Sequence, residues 1–271
     1  MTKEEKLLER LASLESVMVA YSGGVDSALL AYYAKKALGA QAVIVIAVSG
    51  SLAQSDLERA RAQAEQFDFD LIEIETHETD LPEYKVNDAR RCFFCKATLF
   101  QEMEGLAKER GIKHIAYGAN VDDLQDFRPG HQAAKEHNVL SPLQEVGLVK
   151  DEIRALAKIA GLPSYDWPSN ACLSSRIPTF TPVEIISLSQ IEKSEDFVKS
   201  LGFKQVRVRH LPQGASVEVG VDELSKFDLE PNLVSQIETE LKRIGYKSIQ
   251  INPQGYRQGS MNIMNKTASK P

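Results

Sequence analysis

The stretch Val17-Met18-Val19-Ala20-Tyr21-Ser22-Gly23-Gly24-Val25-Asp26-Ser27 decides how this chain folds. Its first five residues are apolar, as in a buried strand, and Ala28-Leu29-Leu30-Ala31-Tyr32 continue with a helical pattern. Between them a turn of small residues lets backbone N–H groups approach phosphate oxygens, and the following helix adds the positive end of its dipole. The sequence therefore predicts a phosphate-binding loop between a strand and a helix.

The acidic residue of this loop, Asp26, points to a metal ion. A carboxylate among phosphates is favourable when a divalent cation lies between them, so we expect Mg²⁺ at Asp26. The residue after the two glycines is Val25 and not Lys. The loop is therefore not of the kinase type, which needs that lysine.

Composition sets the size and the broad class of the protein. At 271 residues, with 43% hydrophobic and 26% charged residues, the chain is long enough for one large or two unequal domains. A net charge of −6 argues against broad binding to nucleic acid. The charged N-terminal segment has no apolar run that fits a signal peptide or a membrane span, so we expect a cytoplasmic protein without membrane attachment.

Strand-like and helix-like segments alternate over the first part of the chain. The continuous apolar run Ala42–Val48 is typical of a strand buried on both faces. The further segments are a helix over Ser55–Phe67, a strand over Asp70–Ile74, a helix over Cys95–Arg110 and a strand over His114–Tyr117. This alternation predicts an α/β fold with a parallel sheet and crossover helices. Ligands of such sheets lie at the carboxyl ends of the strands, where residues 22–27, 48–50 and 118–120 would fall.

A different pattern begins near Pro178. We expect a helix that has Thr181 as N-cap and Pro182 at its first position and that ends near Leu201. The later segments are strands over Gln205–Arg209 and Ala215–Val219, a helix over Pro231–Ile244 and a strand over Lys247–Ile251. The prediction is a first domain over 1–177, a smaller α+β domain over 178–265 and a disordered tail over 266–271.

The three cysteines, Cys92, Cys95 and Cys172, are the second strong signal. An odd number in a cytoplasmic chain makes a disulfide framework unexpected. Four interpretations stay open from the residues alone: unrelated buried thiols, a zinc site completed by His77 or His114, a Cys92–Cys95 redox pair, and three thiolates on a [4Fe–4S] cluster.

The cluster interpretation has a chemical argument beyond the residue count. Three protein thiolates on four irons leave one iron without a protein ligand, where an external sulfide can bind. Together with a loop that adenylates a substrate, such a site holds both halves of a thiolation: ATP converts a poor leaving oxygen into AMP, and sulfide attacks the activated carbon.

Residues 22–27 match the SGGxDS signature of the PP-loop ATP pyrophosphatases, which have the adenine nucleotide α-hydrolase-like fold. Three further motifs resemble LarE-type sulfur transferases, so that the resemblance covers essentially the whole chain. They are Tyr117–Asp123 with Asp126–Gly130, Pro168–Arg176, and Gly255–Asn262. The resemblance implies ATP-dependent conversion of the carboxylates of pyridinium-3,5-biscarboxylic acid mononucleotide to thiocarboxylates, for the nickel-pincer nucleotide cofactor.

The LarE-type sulfur transferases that the chain resembles divide into two branches. Some members carry only the cysteine that matches Cys172 and give up its own sulfur, whereas others add two cysteines that match Cys92 and Cys95 and hold a cluster. This chain has all three. The resemblance therefore implies the cluster-dependent branch, with an external sulfide or sulfur donor, and implies an oligomer of identical chains.

The expected ATP site has two groups of residues. The phosphate group binds the β- and γ-phosphates and consists of Ser22, Gly23, Gly24, Asp26 and Ser27. The adenosine group lies at strand ends and consists of Ala20, Val48, Ser49, Gly118 and Asn120. For each of the latter, ordinary packing at the end of a sheet is the alternative.

Four residues are expected to act on the reacting groups, namely Cys172, Asp26, Arg176 and Arg128. Arg128 would stabilise developing phosphate charge, with a surface salt bridge as its alternative. Arg176 would bind the substrate phosphate through its guanidinium, with a structural pairing to a carboxylate as its alternative. Arg207 and Arg209 share one face of a strand and form a second candidate site for the anionic substrate, unless they belong to a solvated face.

Three other functions compete with this prediction. A PP-loop tRNA thiolase is disfavoured by the acidic charge and by the lack of a Lys- and Arg-rich stripe. An amide-forming ligase of the NAD-synthetase kind would use ammonia and would not need Cys172. A scaffold that only senses nucleotide would bind ATP without releasing pyrophosphate.

Overall fold

The computed structural model describes residues 1–125, 129–168 and 171–257. Within these described residues two compact units are present, one built from residues 1–78 and 90–168 and the other from residues 79–89 and 171–257. The role predicted for Arg128 and the tail predicted over 266–271 lie outside the described residues, as do parts of the motifs at 126–130, 168–176 and 255–262.

The helices and strands are numbered here along the chain. The helices are α1 (Lys3–Ala12), α2 (Val25–Leu38), α3 (Gln54–Gln66), α4 (Pro82–Lys85), α5 (Arg91–Arg110), α6 (Pro129–Glu136), α7 (Pro142–Glu145), α8 (Lys150–Ile159), α9 (Ile185–Ser200), α10 (Lys226–Leu229) and α11 (Asn232–Ile244). The strands are β1 (Val17–Ala20), β2 (Ala42–Val48), β3 (Leu71–Glu75), β4 (His114–Tyr117), β5 (Val206–Leu211), β6 (Gly214–Val219) and β7 (Ile249–Ile251).

The first unit contains a parallel sheet in the order β3-β2-β1-β4. Alternate residues of β1 face opposite layers of helices. Val17 and Val19 pack into a core with α1, α2, α3 and α8, whereas Met18 and Ala20 pack into a core with α5 and α6. Burial on both faces explains why β1 and β2 read as continuous apolar runs. The predicted α/β fold with a parallel PP-loop sheet is confirmed.

The second unit contains a smaller sheet in the order β5-β6-β7, in which β5 and β6 are antiparallel and β6 and β7 are parallel. One face of this sheet carries Val208 and Val217, which form an apolar core with residues of α9 and α11. The opposite face carries Arg207 and Glu218, which are paired in register. These polar side chains are buried nonetheless, which gives this unit a charged interior beside its apolar core.

The predicted start of α9 is wrong. The helix begins at Ile185, and Thr181 is not its N-cap. The carbonyl of Thr181 accepts a hydrogen bond from Asn87 Nδ2 at 2.7 Å, and the N–H of Val183 donates to the carbonyl of Lys85 at 2.9 Å. These contacts with a distant segment hold residues 181–183 outside the helix.

The helix α5 begins four residues earlier than predicted, so that Cys92 and Cys95 both lie in its first turns. None of the helices within the described ranges is both long and apolar enough to cross a membrane.

Candidate functional site

The turn between β1 and α2 is held by its own serines. The N–H of Ser22 donates to Ser27 Oγ at 3.1 Å, and Ser27 Oγ donates to the carbonyl of Gly24 at 3.0 Å. Ser22 and Gly24 are exposed, whereas Ser27 is buried. The N–H groups in the first turn of a helix have no acceptor within that helix, so the start of α2 at Val25 offers donors for an anion.

Two glycines permit this close packing. Gly23 has φ +74, and a Cβ placed on it would lie 2.9 Å from Ala60 Cβ. Gly118, which directly follows β4, backs onto α2, since a Cβ on it would lie 2.7 Å from the backbone nitrogen of Ser27. A side chain at either position would displace the loop or the start of the helix, so the sequence needs glycine at both.

A buried glutamine supports the loop from below. Gln63, on α3, is 1% exposed, and its Nε2 donates to Tyr21 Oη at 2.7 Å and to the carbonyl of Gly23 at 3.4 Å. Burial raises the pKa of Tyr21 to about 12, so its hydroxyl stays protonated and donates to the carbonyl of Ala60 at 3.3 Å. Gln63 is not among the residues predicted from the sequence. Its signal was a polar residue on the apolar face of a helix, beside Ala60 and Ala64.

Asp26 lies at the centre of a polar network at the carboxyl ends of the strands. Its Oδ1 accepts from Asn120 Nδ2 at 3.1 Å, and its Oδ2 pairs with Lys150 Nζ, which comes from the first position of α8. Asp122 accepts from the backbone N–H of Lys150 at 2.7 Å, and Asp123 accepts from the N–H of Asn120 at 3.0 Å. In this structure Asp122 and Asp123 order the backbone around Asn120 and Lys150.

Lys150 is a candidate residue that the sequence analysis missed. It places a positive charge beside the phosphate loop, where the loop itself has no lysine. The available signal was a lysine that opens a strongly amphipathic helix, but nothing in its spacing connects it with Asp26, which lies 124 positions away in the sequence.

The strand-end residues expected around adenosine lie at one edge of the first unit's sheet. Ala20 is the last residue of β1, and Val48 is the last residue of β2. Ser49 directly follows Val48, while Gly118 and Asn120 follow β4. The structure therefore brings the predicted phosphate and adenosine groups to the same edge, and their roles stay predictions.

The two cysteines of the first unit are one helical turn apart. Cys92 is exposed and Cys95 is partly buried, and their spacing of three places them on one side of α5. None of the three cysteines, all of which are described, forms a disulfide. The described residues include no group of three or more His, Cys, Asp or Glu side chains arranged to hold a metal ion.

Arg176 in the second unit is committed to structural contacts. It is 1% exposed, and its Nε and Nη2 donate to the two carboxylate oxygens of Glu195, each at 2.9 Å. Its Nη1 donates to the carbonyl of Cys172 at 2.9 Å and also to the carbonyl of Ala171. The guanidinium thereby fixes the backbone that carries Cys172, while its predicted role toward the substrate phosphate stays a prediction.

Arg207 and Arg209 lie on the same face of β5, as their spacing indicates, but the face is not solvated because they are 8% and 5% exposed. Arg209 pairs with Glu218 at 2.8 Å. Both guanidinium groups stack on Tyr256, with their Cζ atoms 5.3 Å and 5.9 Å from the ring centroid.

The positive charge of Arg207 is disfavoured by its surroundings. Burial, together with the neighbouring charge of Arg176, lowers the pKa of Arg207, and Glu195 opposes this effect. An anionic ligand beside Arg207 would offset the cost of burying its charge.

Comparison with known proteins places this geometry in a class. The family model described as NAD synthase matches residues 4–122. The uncharacterized protein slr1717 of Synechocystis sp. is 36% identical over 261 residues, which cover 96% of this chain and 97% of that protein. The pyridinium-3,5-bisthiocarboxylic acid mononucleotide synthase of Lactiplantibacillus plantarum is 28% identical over 262 residues, which cover 96% of this chain and 94% of the synthase. A GMP synthase of Chlamydia caviae is 25% identical over 177 residues, or 59% of this chain.

The glycine loop and these matches define an ATP-using enzyme with a PP-loop, NAD-synthase-like α/β domain. Within that class the chain belongs to the family of slr1717, which it matches along nearly the whole length of both proteins. The predicted PP-loop class and the predicted use of ATP are thereby confirmed.

Proposed function

We propose that the protein is an AMP-forming sulfur transferase that converts a carboxylate of pyridinium-3,5-biscarboxylic acid mononucleotide to a thiocarboxylate, in the synthesis of the nickel-pincer nucleotide cofactor. The observation that carries this proposal is the glycine loop with Asp26 and Lys150 beside it, in a chain that matches the synthase of Lactiplantibacillus plantarum over 96% of its own length.

The first step would be adenylation at the glycine loop. A carboxylate oxygen of the substrate attacks the α-phosphorus of ATP, the α–β phosphoanhydride bond breaks, and pyrophosphate leaves. The backbone donors of residues 23–27 would hold the β- and γ-phosphates, and Lys150 would offset their charge. Mg²⁺ bound through Asp26 would neutralise the leaving pyrophosphate.

The second step would exchange AMP for sulfur. A sulfide attacks the activated carbonyl carbon, the bond from that carbon to the AMP oxygen breaks, and a thiocarboxylate remains. We propose that Cys92, Cys95 and Cys172 hold a [4Fe–4S] cluster, which when bound would supply that sulfide. The support is the presence of three cysteines outside any disulfide, two of them on one side of α5.

Sacrificial transfer is the alternative for the sulfur step. In that case the Cys172 side chain itself gives up its sulfur and becomes dehydroalanine. Cys172 lies at the N-terminal end of a 3₁₀ turn over Leu173–Arg176 and is partly exposed, which is compatible with either mechanism.

The arginines of β5 would bind the phosphate of the substrate. Arg207 supports this role best, because its charge is buried beside that of Arg176 and gains from an anion. We further propose that the enzyme works in the cytoplasm, where ATP is available and thiols stay reduced, and that it works as an oligomer of identical chains. Nucleic acid is not an expected partner.

Pyrophosphate release tests the adenylation step. Asp26→Asn should abolish release that depends on the mononucleotide substrate, whereas Asp151→Asn, which alters an exposed carboxylate at the start of α8, should not change it. Equal activity of both variants would refute the proposed role of the loop.

Iron analysis separates the two sulfur mechanisms. Protein purified without oxygen should contain about four irons per chain and absorb near roughly 400 nm, and Cys95→Ala should remove the iron while substrate-dependent pyrophosphate release continues. If iron is absent even after reconstitution, and mass spectrometry after turnover shows that Cys172 has lost H₂S, the cluster proposal fails and sacrificial transfer takes its place.

An amide-forming ligase is the second candidate function, favoured by the NAD synthase match over residues 4–122. Such an enzyme would transfer ammonia and would not need a thiol. Full activity of Cys172→Ala with ammonia as nucleophile would support it against sulfur transfer.

A further inference from the structure

Glu78 is a buried carboxylate that the proposed reaction does not use. It lies in a 3₁₀ turn after β3 and is 2% exposed. Its Oε1 accepts hydrogen bonds from Ser49 Oγ at 2.6 Å and from Ser51 Oγ at 3.0 Å. Its Oε2 is also buried and has no hydrogen-bond partner among the described residues. Burial of the Oε2 atom without a hydrogen-bond donor costs free energy unless a ligand supplies that donor.

The hydrogen-bond inventory of this cluster defines what it can bind. Each serine has one hydroxyl proton, and the three contacts of these hydroxyls, two with Glu78 Oε1 and one of 3.0 Å between Ser49 Oγ and Ser51 Oγ, use both protons within the cluster. Ser49 Oγ also accepts from the backbone N–H of Ser51 at 3.2 Å. The remaining capacity of Glu78, Ser49 and Ser51 is therefore to accept hydrogen bonds. Such a cluster repels phosphate and favours a hydroxyl or amino group.

The cluster lies at the edge of the sheet where ATP is expected. Ser49 directly follows Val48, the last residue of β2, and the N–H of Thr76 donates to the carbonyl of Val48 at 3.1 Å. β2 pairs with β1, which leads into the phosphate loop. Ser49 is partly exposed, whereas Ser51 and Glu78 are buried, so Ser49 is the side from which a ligand reaches the cluster.

We propose that Glu78, with Ser49 and Ser51, forms an acceptor subsite for a hydroxyl or amino donor on the nucleoside of ATP, which makes Glu78 a determinant of nucleotide specificity. The inference rests on the proposed ATP site. The ribose hydroxyls and the amino group of adenine share this donor chemistry, and nucleotide analogues separate them.

The test is direct binding of Mg²⁺-nucleotides by calorimetry, without turnover. The probes are ATP, 2′-deoxyATP, 3′-deoxyATP and purine riboside triphosphate, which lacks the amino group. A hydrogen bond to a charged group corresponds to about 10- to 100-fold in affinity. The wild-type protein should therefore bind one of the three analogues about 10- to 100-fold more weakly than ATP, and that analogue identifies the donor.

The variant Glu78→Gln should lose about tenfold or more in ATP affinity while its affinity for that analogue changes little, so that discrimination disappears. Glu83→Gln, an exposed carboxylate on α4, serves as the matched control and should discriminate like the wild type. If Glu78→Gln does not fold, Ser49→Ala should show the same loss of discrimination from the solvent side.

Two outcomes would overturn the inference. In one, the wild-type protein binds ATP and all three analogues equally. In the other, Glu78→Gln weakens ATP and the analogues by the same factor, as a purely structural role requires. If the wild-type protein binds no ATP at all, the proposed function fails together with this subsite, which distinguishes that failure from the other two.

Discussion

Replacement of Arg176 by Met tests whether this arginine is a structural residue. The side chains of Arg176 and Glu195 are 2% and 3% exposed, and two parallel hydrogen bonds of 2.9 Å join them. Glu195 Oε1 also accepts from the backbone N–H of Val208 at 3.0 Å. Met at position 176 would therefore leave a buried carboxylate without its cation and would release the carbonyl of Cys172.

The expected cost follows from this burial. Removal of one partner of a buried ion pair destabilises a protein by about 3–5 kcal/mol. One kcal/mol corresponds to about 2–4 °C in Tm for a chain of roughly this size, so Arg176→Met should lower Tm by about 6–20 °C. The double variant Arg176→Met/Glu195→Met removes both charges and should recover part of this loss, because the carboxylate is no longer left unpaired. The recovery should be incomplete, because the N–H of Val208 loses its acceptor and the carbonyl of Cys172 is still without the donor that Arg176 supplies.

Heat and urea denaturation measure these effects, with Arg243→Met as the control. Arg243 forms a similar two-bond pair with Glu240, but its side chain is 75% exposed, and exposed pairs contribute about 0–1 kcal/mol. If Arg176→Met melts within about 1 °C of the wild type and instead raises KM for the mononucleotide substrate, the structural argument is refuted. Arg176 would then be the phosphate ligand that its sequence motif suggests.

Three further predictions concern other parts of the molecule. Lys150→Ala should reduce the rate of pyrophosphate release by about 100-fold, because one preorganised positive charge is lost. Lys108→Ala, on the exposed surface of α5, should leave the rate unchanged. Equal rates for the two variants would exclude Lys150 from the reaction. Phe180→Gly should stabilise the protein by about 0.5–1 kcal/mol, because Phe180 has φ +68 and is 74% exposed. Relief of the left-handed backbone conformation should outweigh the entropy that glycine adds to the unfolded chain. A clear loss of stability in urea would refute this prediction. Burial lowers the pKa of His210, against an opposing effect of Glu184. The contribution of neutral His210 to stability should therefore be present above about pH 6.5 and fall as the pH drops through the depressed pKa. His210→Gln should flatten that part of the profile of stability against pH, and an unchanged profile would exclude His210 as its source.

The local signals of the sequence were sufficient for the central part of the fold. The predicted strand over His114–Tyr117 has the bounds of β4, and Ala42–Val48 has those of β2. Each of these is a short segment rich in apolar residues with a glycine close to each end, so the pattern marks both ends. The start of α9 could not be predicted in this way, because Asn87 holds Thr181 outside the helix from 94 positions away.

The same distinction holds for the candidate site. The glycines and Asp26 predict a phosphate loop because they lie close together in the sequence. Gln63, Lys150 and Glu78 reach the loop or the sheet edge from other elements, and Gln63 is 40 positions from the carbonyl that it contacts. Only tertiary packing brings their side chains to the site, and no rule of sequence spacing connects them with the loop.

Asp26 and Lys150 neutralise each other's charge beside the loop. When Mg²⁺-ATP binds, it can provide each of the two side chains with a new partner of opposite charge. Their side chains are 22% and 34% exposed, so each is partly desolvated and needs a partner of opposite charge. Mg²⁺ with ATP offers both partners at once, because the cation suits the carboxylate of Asp26 and the phosphates suit the ammonium group of Lys150. Removal of either residue leaves the other with an uncompensated charge. A loss of activity in Lys150→Ala therefore reports on the pair, and its size has meaning only beside the corresponding loss in Asp26→Asn.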